Sequence, residues 1–263
     1  MPARTPDRIR RWLSVRHSLP AEAVVVLALY VLYELARGLV VGDKHEAVDH
    51  ARELVTLERS TGLFVEERVQ DAAHTLPGLI DLLNGSYLTL HLAVTVAVLL
   101  WLHRRRPEAF PFVRTTFVIA SGLALVGYLV YPTAPPRTAG IGIADTVSSG
   151  HVDLNTGLVS SVYNPYAAVP SMHFGYALVA GAAMAWLTSR RLVQAAAAIY
   201  PAFVLLVIVA TGNHFLFDAL AGAAVTALAA GAALLLARPR GDARLVGFPE
   251  RPEPVQKPEE LAA

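Results

Sequence analysis

The chain has no cysteine, which closes off disulfide cross-links, thiol nucleophiles and thiolate metal sites and leaves the redox compartment undecided. Lysine is almost missing too: among 22 basic residues only Lys44 and Lys257 are lysine. Charge is scarce, at 16% of the residues, where a soluble domain carries about a quarter. Neither sign dominates, the net charge being +1, so nothing marks a basic face for nucleic acid. No internal repeat is present, and no His-x-x-x-His spacing supports a zinc site from the outer histidines. Abundant alanine and arginine beside so little lysine is the composition of a GC-rich bacterial genome.

What the chain does have is apolar length. Hydrophobic residues make up 54% and gather into blocks of about 20, the length that crosses a bilayer as a helix. Six blocks lie at roughly 21–41, 79–102, 115–132, 170–188, 192–212 and 214–237. The first is too long for a signal-peptide core and no small-residue cleavage site follows it, so it is expected to be retained. Arginines cluster at 4–16, at Arg104–Arg106 with Arg114, at Arg190-Arg191, and at Arg238 with Arg240. Six spans put every cluster on one side, which the positive-inside rule makes cytoplasmic. The expectation is an all-α, polytopic bundle of six transmembrane helices in the cell membrane, with both termini cytoplasmic and a catalytic domain over 21–238. Residues 1–20 are then a basic cytoplasmic N-terminus, and the proline- and charge-rich 239–263 a disordered tail.

Two longer segments fall on the opposite, extracytoplasmic side. Residues 43–78 carry eight acidic residues against four basic ones, and Val48, Leu54, Val55 and Leu57 recur at roughly helical intervals. That pattern predicts one or two amphipathic helices lying on the surface, either as a lid over a site or on the headgroups. Residues 132–169 hold Pro132–Arg137 and a Gly/Ser/Asn-rich passage, as an ordered but irregular loop would. His45, His50, His74, His151, His17 and His103 fall in polar surface segments and are expected to be exposed.

Four residues meet at one outer boundary in this topology. His214 and Asp218 are four apart at the start of the last span, on one helix face. A carboxylate on one ring nitrogen fixes the tautomer and frees the other nitrogen as nucleophile or base. The same spacing also suits a pair that merely satisfies itself near a helix end. His173 and Arg137 add a proton donor and an anion ligand, and together the four make a metal-free phosphoryl-transfer set. Arginine suits the anion because its fork matches phosphate oxygens.

Pro-Ser-Met-His at 170–173 and His-x-x-x-Asp at 214–218 resemble the second and third signatures of the type-2 phosphatidic acid phosphatase superfamily. Pro132–Arg137 and Asn164–Pro170 resemble its inositolphosphotransferase branch more specifically. The likeness covers about residues 130–225 and the six-span plan around them. It implies His214 as the nucleophile that forms a phosphoenzyme, Asp218 as its orienter and His173 as general acid, then base. It further implies Arg137 and Ser171 as phosphate ligands, a membrane lipid as substrate, water or an alcohol such as inositol as acceptor, and no metal. Hydrolysis of a lipid phosphate and transfer of a phospho-head-group both fit this set. A transporter or lipid scaffold is the rival from another class, while the repeated aspartate motif of metal-dependent alcohol phosphotransferases is absent.

The wider superfamily pattern has a lysine where Val130 stands and an arginine where Ile208 stands, so two cationic ligands are missing. Glu34 and Arg37, three apart in the first span, are either an intrahelical ion pair or a source of the missing cation at Arg37. Asn84, Tyr87 and His91 recur at i, i+3 and i+7 along the second span. A polar stripe on an apolar helix faces the bundle interior, as interhelical hydrogen bonding or as a cavity wall touching substrate; Tyr87 and His91 are the candidates.

Overall fold

The computed structural model describes residues 16–148 and 164–237. The expected basic stretch before residue 16, loop residues 149–163 with His151, and the expected disordered tail lie outside the described residues. The structure is all-helical: α1 Leu19–Leu39, α2 Lys44–Thr61, α3 Glu66–His74, α4 Leu79–Arg105, α5 Phe110–Val130, α6 Met172–Leu187, α7 Arg191–Ala210 and α8 Leu216–Ala237. Five of these, α1, α4, α5, α7 and α8, are long and apolar enough to cross a membrane. The sixth expected span, α6, has 16 residues. That is about 24 Å of helix against a hydrocarbon core of about 30 Å.

Helix boundaries follow local chemistry. Asp43 caps α2 by accepting hydrogen bonds from the N–H groups of His45 and Glu46, which hold its carboxyl below the usual range, and Gly62 ends the helix at φ 73°. Ser171 caps α6 by accepting from the Phe174 N–H. α6 and α7 form a tight hairpin because Gly181 lies where a Cβ would come within 2.6 Å of the Ala197 carbonyl. α8 packs against α5 and α6, and Gly222 sits so close to the Ser171 carbonyl that no larger residue fits. α1 stands apart, packed chiefly on α5, with only Glu22 and Tyr33 buried.

The segment after α1 does not merely lie on a surface. Ala47, Ala51, Leu54 and Val55 of α2 are buried against Ala134, Ala139, Val169 and Phe215. The buried face is built largely from alanines, which let the helix approach closely, so Leu57 falls on the other side and is 45% exposed. The loop after α5 is stitched to the strand-like stretch before α6. Thr133 donates to the Tyr166 carbonyl at 2.8 Å and Ala168 donates back to the Thr133 carbonyl at 3.3 Å, while Ala134 donates to Ala47 at 2.9 Å. Asn164 ties this junction to α1 by donating to the Arg37 and Val40 carbonyls.

Several surface expectations are corrected. His45 and His74 are exposed, but His50 stacks on Tyr131 and bonds the Pro132 carbonyl through Nδ1 at 2.8 Å. His103 is buried with Nε2 3.0 Å from the half-buried His17 carbonyl. Arg114, grouped by the sequence with the arginines at 104–106, is 1% exposed and ion-paired with the buried Glu22 at 2.5 Å. The burial of His103 and Arg114 has one cause: the ends of α1, α4 and α5 converge, and polar side chains there are consumed in joining helices.

Candidate active site

His214 lies on the turn that enters α8, and the residue is 4% exposed. Nδ1 faces two oxygens, the Asp218 carboxylate Oδ2 at 3.1 Å and the Ala168 carbonyl at 3.0 Å. A carbonyl oxygen only accepts, so the proton sits on Nδ1 and the lone pair on Nε2. The stitched loop therefore does half of the orienting, through Ala168. Asp218 is wholly buried, and its Oδ2 also accepts from the Phe215 N–H at 2.9 Å.

His173, in the first turn of α6, has its ring 5.7 Å from that of His214. It is stacked on Tyr87 at 4.3 Å and tilted against His91 at 4.1 Å, so α4 fixes the ring by packing. His91 is itself held by an Nδ1 contact of 3.2 Å to the Tyr87 carbonyl. Between the histidines opens a cavity of about 60 Å³. Its walls are Tyr30, Tyr33, Glu34 and Arg37 from α1, Tyr87 and His91 from α4, Tyr128 from α5, Met172, His173 and Tyr176 from α6, and the loop residues Asn164, Ala168, Asn213 and His214 among others. All lie at the end of the bundle opposite Arg104–Arg106 and Arg190-Arg191, as the alternation of the helices requires.

A family model of the PAP2 superfamily matches residues 52–232, roughly two thirds of the chain, and spans every element of the cavity except α1. The chain belongs to the PAP2 superfamily. No curated protein and no solved structure matches it. Members of this superfamily are generally phosphatases and phosphotransferases, and the several apolar helices make this one a membrane-type protein.

Within this PAP2 chain the sequence-expected residues separate into two groups. His173, His214, Arg37, Tyr87 and His91 line the cavity, with Asp218 directly behind His214. Arg37 meets both readings at once, since it faces the cavity and lies 3.6 Å from Glu34. It is the one lysine or arginine in the wall among the described residues. Arg137 and Ser171 do not line it. Arg137 is buried behind Asn213, donating Nε to Asn213 Oδ1 at 2.9 Å and Nη1 to Asp145 Oδ2 at 2.8 Å. Burial raises the Asp145 carboxyl, but the Ser148 N–H and the Arg137 charge outweigh it and hold the group below its ordinary value. Ser171 is fully buried, with its hydroxyl capping α6. Asn84 exchanges hydrogen bonds with Thr146 at 2.8 and 3.1 Å, so it tethers the loop and leaves the cavity to Tyr87 and His91.

Four tyrosines of the wall, Tyr30, Tyr33, Tyr128 and Tyr176, escaped the sequence reading. The signal was present on α1, where Tyr30, Tyr33, Glu34 and Arg37 repeat at i, i+3, i+4 and i+7 on an apolar helix. Tyr128 and Tyr176 stand alone in their helices and had no such signal. The superfamily positions lacking a cation remain apolar in space as well: Val130 is 71% exposed at the end of α5, and Ile208 is fully buried.

Proposed function

We propose that this protein transfers a phosphoryl or phospho-head-group from a membrane lipid phosphoester through a histidine-linked intermediate, in the manner of the inositolphosphotransferase branch. The observation that carries the reading is the pairing of a tautomer-fixed His214 with His173 across a polar cavity inside an apolar bundle. His214 Nε2 attacks phosphorus, the bond to the leaving oxygen breaks, and protonated His173 gives that oxygen its proton. In the second half, neutral His173 takes the proton of water or an alcohol such as inositol. The new oxygen–phosphorus bond forms as the phosphorus–Nε2 bond breaks. Asp218 balances the charge on the His214 ring while phosphorus is attached.

Arg37 is the cation for the anionic oxygens in this scheme. The amides of Met172 and His173, in the first turn of α6, have no acceptor among the described residues and point to a second source of donors. Arg137 acts through Asn213, and Ser171 through its cap on the helix that carries His173. The two loop stretches that resemble the inositolphosphotransferase branch are the pair joined at Thr133 and Ala167, beside the nucleophile, which supports that branch. The arrangement in the membrane follows: six crossings with α6 as the short one, the described N-terminus and the end of α8 on the cytoplasmic side, and the cavity at the extracytoplasmic face.

His214→Ala and His173→Ala are each expected to abolish turnover with the fold intact. Labelled phosphatidate or phosphatidylinositol, incubated with the purified protein with and without inositol, decides the acceptor. Free phosphate release unaffected by inositol assigns hydrolysis. Full turnover by His214→Ala would exclude the mechanism, while a wild type that neither turns over nor forms a phosphoenzyme would favour a non-enzymatic lipid carrier.

A further inference from the structure

We infer that Glu58 and Glu66, brought from outside the membrane helices onto the first turn of α8, are positioning residues of the His214–Asp218 pair. The inference rests on the reading of that pair as catalytic. Three consecutive amides follow His214, and a different carboxylate accepts from each. Phe215 N–H donates to Asp218 Oδ2 at 2.9 Å, Leu216 N–H to Glu66 Oε1 at 2.8 Å, and Phe217 N–H to Glu58 Oε1 at 2.7 Å. The two glutamates stand 150 and 159 residues from their partners in sequence, so no local helix rule calls for them. Both are buried, Glu66 at 0% and Glu58 at 2% exposure.

A helix start usually leaves its first amides to water, a capping side chain or an anion. Here the α8 start is closed from the side away from the cavity. Its amides cannot turn toward a phosphate, and the turn that carries His214 cannot rotate without breaking hydrogen bonds to buried carboxyl groups. The Asp218 carboxylate and the His214 ring are thereby held in one register with respect to Ala168.

The cluster has one more property. Glu58 Oε2 and Asp218 Oδ1 are buried without a hydrogen-bond donor. The charged groups facing Glu58 are Glu66 from α3 and Asp218 from α8, with His214 beyond Asp218. Burial first, and then these two carboxylates, push the Glu58 carboxyl up to about 8. At neutral pH Glu58 is mostly the neutral acid, which still accepts from Phe217 through Oε1 and carries a proton on Oε2. Glu66 is different, because both of its oxygens accept from amides, Oε1 from Leu216 and Oε2 from Val65. Glutamine is thus a faithful replacement at position 58 and a poor one at 66.

The test uses the full-length protein in lipid nanodiscs, with turnover of phosphatidate in phosphatidylcholine and the ¹⁵N resonances of the His214 ring as independent readouts. Glu58→Ala and Glu66→Ala are expected to lower kcat roughly 10- to 100-fold with KM within about twofold, and to shift the His214 resonances. Glu58→Gln restores both near neutral pH, Glu66→Gln does not, and Asp71→Ala on the exposed face of α3 changes neither. If the alanine variants fail to fold, Glu66→Gln decides, and wild-type kcat with unshifted His214 resonances in that variant overturns the inference. Wild-type kcat and unshifted His214 resonances in Glu58→Ala overturn it too, while an inactive His214→Ala leaves the catalytic reading standing. An active His214→Ala removes that reading instead.

Discussion

At the scale of single residues, the outcome turns on charge. The superfamily pattern carries two cations this chain lacks, and the cavity wall offers Arg37 with Glu34 3.6 Å away. In the proposed scheme the glutamate holds the guanidinium when the site is empty and shares it when a phosphate arrives, so that no unpaired arginine is left in an apolar helix. Arg37→Ala is expected to weaken vanadate inhibition and raise KM by about 10-fold or more, as loss of a charge-assisted contact does, with kcat falling less. Arg37→Lys recovers part of this, because a lysine keeps the charge and loses the fork. Equal vanadate affinity in wild type and Arg37→Ala would remove Arg37 from the phosphate site. His173, His214 and Asp218 were legible in sequence because ionisable residues are rare in apolar blocks. Arg137 was legible as a residue near the site but not as one facing away from it: its place behind Asn213 depends on Asp145, eight positions on in a loop with no periodicity.

At the scale of elements, α1 shows what sequence periodicity cannot supply. Its apolar length reads plainly as a helix, yet only two of its residues are buried, and its attachment is polar. Glu22 pairs with Arg114, the hydroxyls of Tyr33 and Tyr128 lie 3.4 Å apart, and Asn164 holds the last turn. Such pairings join residues about 90 to 130 positions apart, and nothing in either partner's neighbourhood announces the other. Glu22→Ala leaves a buried arginine uncompensated and is expected to cost about 3–5 kcal/mol, read as a lower melting temperature in detergent. Replacing both partners, Glu22→Met with Arg114→Leu, recovers most of it. If the double variant is as unstable as the single one, the pair is not what joins α1 to α5. For α2 the helical pattern was visible, but the face that packs was not, because alanines at 47 and 51 rather than the larger apolar residues make the contact.

At the scale of the whole molecule, the order of the helices was readable from block length, since a bilayer admits few alternatives. The missing cysteines make the proposed topology easy to test. Single cysteines at exposed Arg105 and Asp71 are expected to react with a membrane-impermeant maleimide from opposite faces of sealed vesicles, Asp71 from outside. Labelling of both from one face would overturn the six-crossing arrangement. α6 has a consequence of its own. It is about 6 Å shorter than the hydrocarbon it is proposed to cross, and it carries His173 at its outer end. In the proposed arrangement the bilayer dimples there, drawing phosphoester groups of the outer leaflet down toward the histidines. Turnover in vesicles of graded acyl length is then expected to rise as the lipids shorten, so that the membrane itself tunes the reaction by its thickness.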